Sequence, residues 1–180
     1  MNCNIKKRTI MIFPQFENQN IINEIRGKYD PLVNHVSPHI TLVFTFESSL
    51  TSIEIKEHLV EVLDGTRRFS LTLQEIVNID NPLGRYLFLD IKEGKEQIKE
   101  LSKKLYTGIL QNYKPDWLSE KTFMPHMTIG SFTSKEDLSV AFKDTELVKE
   151  NFTTTVDKIS VEIIDENEDS IIEVDVDLNN

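Results

Sequence analysis

The chain has almost no cysteine: Cys3 is the single one in 180 residues. No internal disulfide can form, which fits a reducing compartment such as the cytoplasm, and a lone thiol this near the terminus reads as inert. A basic excess is missing too. Twenty Lys and Arg stand against 30 Asp and Glu, for a formal net charge of -10. Proteins that track long nucleic acid carry a basic face, because phosphate neutralisation dominates their affinity. Extended RNA or DNA is therefore disfavoured and a small ligand favoured. The six glycines are scattered, so no glycine loop cradles a phosphate. His, Asp and Cys do not recur at metal-ligand spacing, and no cofactor is called for. Long apolar runs are also lacking. Ile10 to Phe13 follows Lys6, Lys7 and Arg8 but stops at Pro14, too short for a signal-peptide core, and no stretch reaches membrane-spanning length. The Asn151-Phe152-Thr153 sequon has no secretion signal to give it meaning.

What is present is ordinary globular composition, 39% hydrophobic and 28% charged, enough for one domain over residues 1–180 with a good core. Ile5 to Phe13 reads as a strand. Gln15 to Tyr29 reads as a helix with Ile21, Ile25 and Tyr29 on one face. A strand is expected from His39 to Phe46. Thr51-Ser52-Ile53-Glu54 is a capping box opening a helix. Strands follow at Phe69 to Ile79 and Arg85 to Ile91, around the turn Asn81-Pro82-Leu83-Gly84. The order then repeats: a helix from Gly94 to about Gln111, a strand from His126 to Phe132, and a helix capped at Ser134. Phe152 to Ile164 reads as one strand, Asp165 to Asp169 as an acidic turn, and Ile172 to Leu178 as another strand with one wet face. Two lobes, about 5–80 and 85–178, are expected from a duplication with a pseudo-two-fold axis. The fold class is α+β: bilobal, with two small, mainly antiparallel sheets and a central cleft.

One pattern occurs once in each half. Pro38-His39-Ile40-Thr41-Leu42 matches Pro125-His126-Met127-Thr128-Ile129. In a strand, side chains two apart share a face. Each copy therefore offers an imidazole and a hydroxyl side by side, with aliphatic residues behind. Two such strands meeting would make a pocket of two imidazoles and two hydroxyls, a kit for general acid–base chemistry on a phosphate ester. A single His-x-Thr is weak; the shared Pro and aliphatic pattern make the pair strong.

Other features carry less. Asp165, Asn167 and Asp169 match the first calcium-loop positions, but Ser170 stands where glycine is needed and Val176 where the bidentate Glu belongs. That stretch reads as a solvated hairpin turn. His58 reads as a helix-surface residue and His35 as a solvated loop residue. Phe44, Tyr86, Trp117, Phe123 and Phe132 lie in or near the motif strands, where one aromatic ring could stack on a base.

The paired His-x-Thr-aliphatic motifs, the size and the duplicated order resemble the two-histidine (2H) phosphoesterase superfamily, which includes RNA 2′,3′-cyclic phosphodiesterases and 2′-5′ RNA ligases. Lys28-Tyr29-Asp30-Pro31 and Leu105-Tyr106-Thr107-Gly108, ahead of the two motifs, look similar to its small stand-alone branch in Gram-positive bacteria. The resemblance implies a cleft lined by His39, Thr41, His126 and Thr128. It implies His39 as proton donor, His126 as proton acceptor, and the two threonines as substrate-binding groups. The expected activity is metal-independent hydrolysis of a cyclic or 2′-5′ phosphodiester in a small nucleotide or RNA end, without a membrane partner. Ligase-type end processing and a non-catalytic nucleotide-binding module are the alternatives. Neither the oligomeric state nor the substrate is legible.

Overall fold

The computed structural model describes residues 5–180; Cys3 lies outside the described residues. In chain order come β1 (Lys6–Ile12), α1 (Gln19–Tyr29), β2 (Ile40–Ser48), α2 (Ser52–Leu63), β3 (Phe69–Asn81), β4 (Gly84–Glu93) and α3 (Lys95–Leu105). A 3₁₀ turn, Gly108–Tyr113, precedes β5 (His126–Phe132), α4 (Lys135–Asp144), β6 (Phe152–Val156), β7 (Lys158–Ile164) and β8 (Ser170–Asp177).

Local chemistry sets these boundaries. Thr51 Oγ1 accepts from the Glu54 amide while the Glu54 carboxylate takes the Thr51 amide, so the capping box forms as expected. Ser134 Oγ accepts from the Asp137 amide at 3.0 Å. Helix α3 starts at Gly94, whose φ of +93° suits only glycine, and a Cβ there would sit 2.8 Å from the Ser70 carbonyl.

The named strands join antiparallel in one sheet ordered β6-β3-β4-β5-β2-β1-β7-β8. The expected α+β class and antiparallel pairing hold. Instead of two sheets there is one, whose halves are joined by the single pair Ile40↔Met127 between β2 and β5. The expected strand over 152–164 divides at Asp157 into β6 and β7, which lie first and seventh in the sheet. One residue cannot span six strand spacings of about 4.8 Å, so the sheet must curl until those strands approach. The end of β8 closes the same seam: the Asn179 amide donates to the Thr66 carbonyl and the Arg68 amide to the Asn179 carbonyl, both at 2.9 Å.

Helix α1 packs against β5 and α3 against β2, so each half's helix backs the other half's motif strand. Ile40, Leu42, Met127 and Ile129 are fully buried in this core, which leaves the alternate side chains of both strands for the opposite face.

Candidate active site

The β2–β5 pair joins the residue between His and Thr in one motif to its counterpart in the other. An antiparallel register through Ile40↔Met127 sets His39 across from Thr128 and Thr41 across from His126, at a cross-strand spacing of about 5 Å. The four polar side chains thus form the corners of a square on one face. All four are half-buried. Residues 39 and 126, which chain order keeps far apart, meet because their strands are neighbours at the centre of the sheet.

Both rings are fixed in the same way. His39 Nδ1 lies 2.9 Å from the Ser37 carbonyl, and His126 Nδ1 lies 2.6 Å from the Met124 carbonyl. A carbonyl only accepts, so each neutral ring carries its proton on Nδ1 and keeps a lone pair on Nε2. The intervening prolines, Pro38 and Pro125, bias the residue before each towards extended backbone, which favours turning that carbonyl to the ring two residues on. The Pro in each motif therefore has a use the spacing alone did not show.

The rings sit in different surroundings. His126 stacks on Phe88 of β4 with centroids 3.5 Å apart and planes 17° from parallel. Phe88 runs on to Tyr86 in a second parallel contact at 5.4 Å. His39 meets Phe13 at a tilt, 6.0 Å between centroids. Burial lowers the pKa of both imidazoles from the usual value, against the bond to the Ser37 or Met124 carbonyl, which raises it. A charge on His39 lowers His126 further, while Asp90 raises it. Arg26 lowers His39 and Asp30 raises it.

Arg26 and Asp30 are a part of the site that helix periodicity could not show. Arg26 is 2% exposed. Its Nε donates to Asp30 Oδ2 at 2.7 Å and its Nη2 to the Val36 carbonyl at 2.8 Å. Asp30 Oδ1 accepts from the Leu32 amide. The pair ties down the loop whose Ser37 carbonyl holds His39. Lys28-Tyr29-Asp30-Pro31 marked the place, and the buried cation one helical turn earlier completes it.

Both motif strands bulge at the same point. Met11 pairs with Thr41 but Ile10 with Val43, which leaves Leu42 extra; Phe88 pairs with Thr128 but Leu87 with Gly130, which leaves Ile129 extra. A bulge bends a strand and re-aims side chains. In β2 the freed backbone groups find partners on or just after α3. Ser102 Oγ donates to the Leu42 carbonyl at 2.7 Å, and the Phe44 amide donates to the Tyr106 hydroxyl at 2.8 Å. Burial pushes the Tyr106 phenol up to about 12, so it stays neutral.

The remaining candidates have structural duties. His58 is not a surface residue: it is 7% exposed, with Nε2 3.1 Å from the Leu105 carbonyl. His35 Nδ1 meets Asp169 at 2.8 Å and its carbonyl accepts from the Ser170 amide, which docks the acidic turn on the loop before the first motif. Asp165 Oδ1 closes that turn by accepting from the amides of Asn167 and Asp169. Of the aromatic residues, Phe123 is buried and Trp117 is half exposed against Phe44.

The model of the 2′-5′ RNA ligase superfamily matches residues 13–168. A Bacillus licheniformis protein named "Putative phosphoesterase" is 29% identical over 134 residues, covering 74% of this chain and 75% of its own. A protein of the same description from Halalkalibacterium halodurans is 31% identical over 134 residues, 72% of each chain. Among solved structures, Escherichia coli LigT complexed with 3′-AMP aligns with a TM-score of 0.65 at 16% identity, covering 98% of this chain and 100% of that one; this is a likeness of fold. With both motifs in place and the family model spanning six of the eight strands, β2 to β7, the chain belongs to the 2′-5′ RNA ligase superfamily.

Proposed function

We propose that the protein is a phosphoesterase that hydrolyses a cyclic or 2′-5′ phosphodiester of a small nucleotide or RNA end by acid–base catalysis between His39 and His126. The observation that carries this reading is the paired tethering of the two rings, each holding its Nδ1 to a carbonyl two residues back and leaving Nε2 to the face shared with Thr41 and Thr128. In the reaction, water attacks phosphorus and gives its proton to Nε2 of neutral His126. The bond from phosphorus to the leaving oxygen breaks, and that oxygen takes the proton from Nε2 of protonated His39. Thr41 and Thr128 donate to the non-bridging oxygens, where charge develops. Two imidazoles suffice for both transfers, so the reading calls for no metal. The near-symmetry lets the two histidines exchange roles when the reaction runs backwards.

The relatives' name and the nucleotide in the LigT structure support a small phosphoester substrate. No helix among the described residues is long and apolar enough to cross a membrane. The test is a substrate panel with chelator present: 2′,3′-cyclic nucleotides, ADP-ribose cyclic phosphate and 2′-5′ oligoadenylate. Wild type should turn over at least one, and the protein carrying both His39→Ala and His126→Ala none. Binding without turnover across the panel would instead mark a nucleotide-binding module. Joining of a 2′,3′-cyclic phosphate end to a 5′-hydroxyl end would mark ligase-type processing.

A further inference from the structure

A cavity of about 220 Å³ opens beside His39 and Thr41 and runs across β1, β2 and β7. Sites that hold a whole small molecule usually measure about 300–1,000 Å³, so this one suits a single ring system. Leu32, Phe44 and Ile164 present apolar surface, Thr9, Thr45 and Glu162 supply polar groups from neighbouring strands, and Lys7 and Glu168 add a charge of each sign. A planar ring with apolar faces and a polar edge matches that division; a sugar, polar all round, does not.

Glu162 sets the chemistry of the polar end. It is 4% exposed and accepts the Ser170 hydroxyl at one carboxylate oxygen. Burial raises its pKa, and the hydroxyls of Ser170 and Thr9 draw it back down. A carboxylate offers about four lone-pair sites, so two hydroxyls leave acceptor capacity for a ligand. That capacity suits an N–H donor. The spacing also fits. Thr9 pairs with Glu162, and Met11 pairs with Thr41. Glu162 therefore lies about 7 Å along the strands and about 10 Å across them from Thr41, which leaves room for a sugar between a phosphate at Thr41 and a ring edge at Glu162.

We propose that this cavity is a nucleobase subsite and that Glu162 selects bases presenting an amino group to it. The assignment rests on the phosphoesterase reading of the groove, but its test does not depend on turnover. Adenosine and purine riboside differ only in the amino group. Titrated into the full chain and followed by amide NMR, adenosine should bind about tenfold or more tightly than purine riboside, the scale of a hydrogen bond to a charged group. Its shifts should centre on Thr9, Thr45 and Ser170. Glu162→Met should bring the two affinities together. Leu32→Trp, a change at an exposed position, should block both nucleosides by filling the cavity. Equal affinities in wild type, or shifts centred on Tyr86 or Trp117 instead, would overturn the subsite. Discrimination between the nucleosides without cleavage of any phosphodiester would leave the subsite standing and sink the catalytic reading.

Discussion

At the scale of single residues, the site is two imidazoles held by their own backbone. Because burial lowers both pKa values, each ring is neutral near pH 7 before substrate arrives. NMR titration of the ligand-free protein should show both titrating below about 6.5, and bound inorganic phosphate should raise at least one of them. Rings that titrate at or above that value would mean solvated histidines. Arg26 tests the tether from behind. Arg26→Met leaves Asp30 buried without its partner, which should cost about 3–5 kcal/mol in a denaturant melt. It also removes the charge that lowers His39 and keeps the one that raises it, so the His39 titration should move up in pH. Arg26→Lys should rescue neither fully, since one ammonium cannot reproduce a fork that reaches both Asp30 and the Val36 carbonyl. The motif residues themselves were legible because His-x-Thr places both side chains on one face of any strand. The tethering carbonyls, Arg26 and the stacking of Phe88 on His126 were not, since each depends on how the chain folds back on itself.

At the scale of elements, the two bulges aim the threonines. The one in β2 is held by Ser102 and Tyr106, the first on α3 and the second just after it. Ser102→Ala should strand the Leu42 carbonyl in the core, costing about 1–3 kcal/mol, and should lower kcat by misplacing Thr41. Thermal melts and kinetics on the same sample check both; a stability loss with unchanged kcat would show that the bulge does not steer the hydroxyl. Capped helices and amphipathic strands were readable from the sequence. The register shifts were not, because an extra aliphatic residue in an apolar-polar alternation looks like an ordinary strand. The break at Asp157 left only a faint mark, two polar residues in a row, Asp157-Lys158, between Val156 and Ile159, which are both buried.

At the scale of the whole molecule, one curled sheet stands where two were expected, and its centre is the seam that brings the motifs together. The far end of the sheet is held by a buried network. Arg8, fully buried on β1, donates to both carboxylate oxygens of Glu173 on β8, and Lys6 and Ser52 join them. Those donors hold the Glu173 carboxyl down at about 2. A depressed carboxyl stabilises the fold above its unfolded pKa of about 4.3 and loses that contribution as pH falls towards 2. Glu173→Gln should therefore be less stable than wild type at neutral pH, by about 3 kcal/mol, and the gap should close on acidification through that window; a gap independent of pH would contradict the pairing. The duplicated order, visible in the sequence, announced a central meeting of two strands. The exchange of helices between halves, which presses α1 on β5 and α3 on β2, required the structure. The most direct test of the central claim is kcat/KM against pH on a 2′,3′-cyclic nucleotide, with chelator, for wild type, His39→Ala and His126→Ala. The wild-type profile should be bell-shaped, and each single substitution should remove one limb and cost about 10²–10⁴-fold. Full activity in either variant, or a rate that chelator abolishes and a divalent ion restores, would contradict two-histidine catalysis.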